Sequence, residues 1–302
     1  MTNVITSLLI LLQTILQLLV FVGQNPGLPQ SFKQSVILEA TQTIELAAKT
    51  LEQIELQKTS EQEKGVIIPV SGLKITQTTS TGSYKINPKP DYEISKLASI
   101  INDYINQERI SNGLKELAWN QNLSEISFRH SFDQASDNKT ITDYSKPCAY
   151  VLIRHEGLTL AGFSLADRLK FALVDFRLAG ENIAAIPFSK NLTYSYKSPD
   201  KPVKCPESYF KKTESSMTKT EKLNIILENI NQAQNLIASV PTVNWINKEW
   251  LTSEEIAKEA VNGWMNSIGH RQNILNSEFS QAGIGVAEIN DYFIITQVFI
   301  KN

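Results

Sequence analysis

Imidazole and carboxylate groups carry most of the chemistry open to this chain, and it has only three histidines: His130, His155 and His270. Near neutral pH an imidazole can ligate a metal or pass a proton, so each position is a candidate. His155 is followed by Glu156, and His270 stands in Gly269-His270-Arg271-Gln272-Asn273. Neither a His-Glu-x-x-His run nor a Ser/His/Asp arrangement accompanies them, so two common routes to hydrolysis lack their signature. Cys148 and Cys205, each beside a proline, are too few for a disulfide framework or a zinc ribbon. They form a disulfide if the chain is exported and stay as two thiols if it is not. The sequence leaves both open.

The composition sets the class of molecule that must position these groups. The 302 residues are 42% hydrophobic and 20% charged, with a formal net charge of -2, which fits a globular protein. No surplus of Lys and Arg exists to neutralise phosphates, so nucleic acid is excluded as a partner.

Residues 1–32 hold no Asp, Glu, Lys or Arg, and Val4 to Val22 is almost wholly apolar. That stretch is long enough to span a hydrocarbon core of roughly 30 Å. A cleavable signal would want a basic leader and a small-x-small site, both missing here. Residues 1–28 therefore read as a membrane anchor, with secretion as the alternative if the segment is cleaved. Lys33 and Lys49 lie on its C-terminal side, which favours a cytoplasmic domain, whereas the domain itself points to the outside. In 29–57, Ile37, Ala40, Ile44, Ala47, Leu51 and Ile54 recur at three- and four-residue spacings. This predicts an amphipathic helix that either self-associates as a short coiled coil or packs on the domain or membrane surface. Residues 58–92 read as a linker.

From residue 93 to 302 the periodicity is that of a layered α+β domain. Ile94, Leu97, Ile101, Tyr104 and Ile105 mark one helix, with Arg109 mostly off its apolar face, and Asn112-Gly113 ends it. Asn120 is placed to cap a second helix, from about Gln121 to Ser136. A third helical region covers Ser164 to Phe176. Ser253 to Met265 is a further helix, with Ser253 as the expected cap. Two β-rich runs around Asn290-Asp291 form a closing hairpin. Residues 186–250 read as an insertion carrying an apolar helical stripe from Leu223 to Ile237.

Four motifs in this order resemble the CAP superfamily (SCP-like domains). Leu117-Ala118-Trp119-Asn120 is similar to the family's opening Leu-x-Trp stretch, and Gly180-Glu181-Asn182-Ile183 to its Gly-Glu-Asn motif. Gly263-Trp264-Met265-Asn266-Ser267-Ile268-Gly269-His270-Arg271-Gln272-Asn273-Ile274-Leu275 resembles its bacterial His-Arg-x-Asn block. Gly283-Ile284-Gly285-Val286-Ala287 with Thr296-Gln297-Val298-Phe299 resembles its closing strands. The resemblance implies an α-β-α sandwich with a polar cleft at the sheet edge, usually furnished by two His and two Glu.

Carried over residue by residue, the resemblance places Glu181 and His270 in that cleft. Asp143 falls where the first histidine is expected, and Ser267 replaces the second glutamate. Asp143, Glu181 and His270 make a set suited to a divalent metal such as zinc. Glu181 and His270 would otherwise serve as an acid–base pair, or simply hydrogen-bond to fix the cleft. His130 reads as a packing residue with an approach to the cleft as the alternative. His155 is expected on a solvent-facing loop, or as a substitute for the missing histidine. The function implied is a membrane-anchored, extracytoplasmic binding module that contacts a cell-envelope component or a small hydrophobic ligand. A metal-dependent hydrolase is the alternative.

Overall fold

In the computed structural model the described residues are 40, 75–78, 88–196 and 203–302. The expected membrane span at 4–22 and nearly all of the 29–57 helix lie outside them. Among the described residues, no helix is long and apolar enough to cross a membrane.

The closing run from Tyr292 to Phe299 is apolar at nearly every position, a pattern that suits a strand covered on both faces. Strand β7 (Tyr292–Lys301) pairs antiparallel with β6 (Gln281–Ile289) on one side and with β3 (Leu178–Pro187) on the other. A short β2 (Ala118–Trp119) joins β6 in parallel, giving the order β2-β6-β7-β3. On one face Phe293, Ile295 and Phe299 pack with helices α1 (Ile94–Ser111) and α5 (Ser253–Asn266), around the fully buried Trp264. On the other, Ile294, Val298 and Ile300 meet apolar side chains of α2 (Gln121–Asn138) and α3 (Leu165–Phe171). Helices on both faces of one sheet make the α-β-α sandwich.

Helix α2 lies directly on β6, and glycine permits the approach. A Cβ on Gly283 would sit 2.1 Å from the Ser124 backbone nitrogen, and one on Gly285 would sit 1.9 Å from that of Phe128. The hydroxyls of Ser124, Ser127 and Ser131 donate across this contact to the carbonyls of Ile284, Gly283 and Gly285. Helix–sheet contact is thus backbone to backbone, sealed by short polar side chains instead of bulky apolar ones.

Two details depart from the sequence expectation. Arg109 is not off the core: it is 1% exposed, with its guanidinium donating to the carbonyls of Lys115, Ile274, Asn276 and Phe279. Five fixed donors let one arginine answer several carbonyls at once, so charge alone does not keep it in solvent. Helix α5 is capped by Thr252, not Ser253, because a Thr-x-x-Glu box needs Glu255 at its fourth position.

The described parts of the expected insertion form strands and a helix. β4 (Ser189–Ser195) and β5 (Asn244–Trp250) pair antiparallel, and β1 (Ile75–Gln77), from the stretch read as a linker, joins β4 in parallel. Helix α4 (Lys219–Ser239) starts at a Thr218/Glu221 capping box and buries Ile226, Ala233 and Ile237. Cys148 and Cys205 are joined in a disulfide beneath it, in a cluster with Tyr150 and Leu152.

Candidate functional site

Strand alternation sends Ile183 and Ala185 of β3 toward α2, while Ala184 and Ile186 face α1 and α5. Glu181 therefore projects on the α2 side, and it is 6% exposed. Its surroundings are built by long-range contacts. On α2, His130, Gln134 and Asn138 form one row at four-residue spacing, and all three are fully buried. Each holds the extended segment that follows the disulfide. Asn138 brackets Leu152 through its backbone nitrogen and oxygen, Gln134 accepts from the Arg154 nitrogen, and His130 Nε2 lies 3.1 Å from the Arg154 carbonyl. This ladder delivers His155 to the site, its Nδ1 2.9 Å from Glu181 Oε1. His130 Nε2 lies 3.9 Å from the same oxygen.

Arg168 supplies the opposite charge. It sits on α3, which the Ser164/Asp167 box caps, and donates from Nη2 to Glu181 Oε2 at 2.5 Å and from Nη1 to the His155 carbonyl at 3.0 Å. Both carboxylate oxygens of Glu181 are thereby answered from within the fold.

Helix α6 (Ile268–Ile274) closes the outer edge of β3. Asn273 donates to the Glu181 carbonyl at 3.2 Å and to the Asn182 side chain at 2.9 Å. Asn182 returns a bond to the His270 carbonyl, and Trp264 Nε1 takes the next outward carbonyl, that of Ile183, at 3.1 Å. The Trp-to-Asn block thus covers an edge strand that would otherwise leave carbonyls unpaired. Gly180 allows this approach, since a Cβ there would meet Asn273 Oδ1 at 3.1 Å and the Phe279 ring at 2.9 Å. Asn273→Ala is expected to cost about 1–3 kcal/mol, the penalty for stranding buried polar groups. Urea unfolding followed by tryptophan fluorescence reads it, and a loss below a few tenths would show that water replaces the amide.

The electrostatics follow from burial and pairing. Burial is the largest single influence on Glu181 and would raise it, but Arg168, His130 and His155 together outweigh burial, and the carboxyl is held at about 2. His130 is lowered to about 3, first by burial and then by the Arg168 charge. Burial, with His155 close by, lowers His270 to about 4. At neutral pH the site holds a Glu181–Arg168 ion pair with His130 and His270 uncharged.

In the structure Glu181 and the α6 block that carries His270 share this neighbourhood, and Asp143 lies elsewhere. Its carboxylate folds back onto its own turn, accepting from the Ser145 nitrogen at 2.9 Å and hydroxyl at 2.6 Å. It lines a separate cleft with Trp245 and Tyr292. His155, expected on a solvent-facing loop or as a substitute for the missing histidine, is 8% exposed and stands beside Glu181. Ser267 occupies the junction of α5 and α6, where its backbone, not its side chain, makes the turn. Arg168 carried no sequence signal beyond its place in a capped helix.

This donor set does not fit a divalent metal. Among the described residues, no three His, Cys, Asp or Glu side chains converge in a metal-binding arrangement. A metal on Glu181 would have to displace the Arg168 guanidinium and share its buried space with that cation, which like-charge repulsion opposes.

Residues 210–299, spanning α4, β5, α5, α6 and most of the closing hairpin, match the CAP family, described as the cysteine-rich secretory protein family. An uncharacterized membrane protein of Bacillus subtilis (strain 168), YlbC, is 28% identical over 199 residues, covering 66% of this chain and 33% of its own length. The chain thus spans about a third of that relative. Among solved structures, an extracellular protein containing an SCP domain from Bacillus anthracis str. Ames is 25% identical, with a TM-score of 0.39, covering 69% of this chain and 41% of that one. An outer surface protein of Borrelia burgdorferi is 12% identical, with a TM-score of 0.38, covering 71% of this chain and 99% of that one. The family match falls on the block that carries His270, which docks on the Gly-Glu-Asn strand, and it supports a CAP-superfamily domain in this part of the chain.

Proposed function

We propose that this chain is a membrane-anchored CAP-domain protein whose domain works outside the cytoplasm as a binding module of the cell envelope. The observation that carries this reading is the closed accounting of Glu181. With Arg168 on one oxygen and His155 on the other, the carboxylate holds loops in place and offers no base to a bound water. The Cys148–Cys205 disulfide supports an oxidising compartment, where such bonds persist. Residues 4–22 would supply the anchor, and residues 29–57, whose periodicity predicts an amphipathic helix, would set the domain's distance from the bilayer or pair it with a second copy. The relative in Bacillus subtilis is itself described as a membrane protein.

The test is topological. In intact cells expressing the full chain with a C-terminal tag, external protease is expected to remove the tag without lysis. Digestion only after lysis would place the domain in the cytoplasm and end this reading. The competing metal-dependent hydrolase makes a different demand. It requires stoichiometric metal in the purified protein, and loss of that metal in His270→Ala.

A further inference from the structure

A second, open cleft lies between the segment after the disulfide, residues 211–213 and helix α4. Leu152, Ile226 and Ile230 give it an apolar floor, the two isoleucines one turn apart on α4. Arg154, Lys211 and Lys212 stand on its walls with one acid, Glu156, while the Lys211 ammonium is held by both oxygens of Glu228, at 2.7 and 2.8 Å. That acid already faces the buried Lys222 at 3.5 Å. With Lys211 answered by Glu228 and Glu156 by Lys222, Arg154 and Lys212 are the wall cations left to meet an occupant over the apolar base.

Arg154 makes this more than a dent. It is 8% exposed, yet its guanidinium gives only Nη2 to Asp137, and its Nε is buried with no hydrogen-bond partner. A buried guanidinium with an unanswered donor is costly unless something accepts from it. The walls are also pinned. The disulfide ties the segments leading to Leu152 and to Lys211, and the Tyr150 hydroxyl donates to the Pro206 carbonyl at 2.8 Å. Asn229 accepts from the Lys211 nitrogen at 3.0 Å and donates to its carbonyl at 2.8 Å.

We infer that this cleft binds a small anionic amphiphile, with a carboxylate or phosphate head at Arg154 and Lys212 and a short apolar body on the isoleucine floor. The inference rests on the reading of the domain as a binding module and gives that module a site apart from the Glu181 network. Arg154 and Glu156 flank His155, so an occupant would also stiffen the segment that holds Glu181 in place.

Hydrogen exchange read by mass spectrometry, on the full chain in lipid nanodiscs, localises the effect. Octanoate, octyl phosphate and octylamine serve as probes, with empty nanodiscs correcting for partition. Octanoate or octyl phosphate is expected to protect 150–156 and 205–213, and octylamine to protect neither. Stronger protection by one of the two anions identifies its head as the preferred one. Lys212→Glu, at an exposed position, is expected to raise the midpoint about tenfold, and Ile230→Trp to abolish protection by filling the floor. Equal protection by octylamine, or midpoints unmoved by Lys212→Glu, would overturn the inference. So would protection seen only with phosphatidylglycerol in the disc, which would make the binding site a lipid surface. None of these outcomes depends on which side of the membrane the domain faces, so the topology reading stands or falls separately.

Discussion

Replacing Arg168 with methionine is expected to destabilise the fold by about 3–5 kcal/mol, the range found when one partner of a buried ion pair is removed. Arg168 and Glu181 are each about 3% exposed at their side chains, so water cannot solvate the carboxylate left behind. The same substitution frees the His155 carbonyl, which Arg168 Nη1 holds. Glu181→Gln should be comparably severe, because it strands the guanidinium. The pair together should lose far less than the sum, since neither leaves an uncompensated charge. A double-mutant cycle by urea unfolding, with the buried Trp264 as reporter, measures this. Additive losses would mean that the two groups are not coupled in the folded protein. The pH response adds a second reading. Without Arg168, burial dominates Glu181 and pushes its carboxyl above the unfolded value. Arg168→Met protein should then regain stability as pH falls through that raised value, whereas wild type loses it.

That pair also shows why the site was only partly legible beforehand. Glu181 and His270 could be named because short motifs mark them, and the strand and the helix that carry them have clear periodicity. Arg168 could not, and for His155 the sequence left open a solvent-facing loop or a place in the cleft. His155 follows the disulfide in an extended segment without helix or strand period, and it reaches Glu181 only because His130, Gln134 and Asn138 hold residues 152–154. Those bonds join residues 14 to 24 apart and leave no local pattern. Arg168 and Arg109 look like solvent-facing charges on amphipathic helices, since periodicity scores polarity and not the carbonyls waiting across the fold. Asp143 was placed by alignment of a motif, but its Ser145 neighbour gave it a closer partner. The sandwich was expected from the family resemblance, and in the structure Phe293, Ile295 and Phe299 on one face with Ile294 and Val298 on the other account for its two covered faces.

The same burial should make the protein sensitive to acid well above the range where carboxylates alone would act. His270 is lowered from 6.5 to about 4 and His130 from 6.5 to about 3. The unfolded chain therefore takes up protons on both as pH drops below about 6.5, while the folded chain does not. More protons bound in the unfolded state means that stability falls as pH falls. For His270 this loss runs from about 6.5 to about 4, and for His130 it continues toward about 3. Glu181, lowered from 4.5 to about 2, adds a further loss across that lower window. Each unit of displacement amounts to about 1.4 kcal/mol, so the two histidines together withdraw several kcal/mol by pH 4. That is a large share of the 5–15 kcal/mol that roughly bounds a domain's stability. Wild type is expected to unfold in mild acid, with a slope of nearly two protons between pH 6 and 4. His270→Gln should remove about one of them. His130→Gln keeps a donor for the Arg154 carbonyl and should remove the other. Slopes that do not change in either variant would show that His130 and His270 titrate normally in the fold, and the charge state assigned to the Glu181 network would have to be revised.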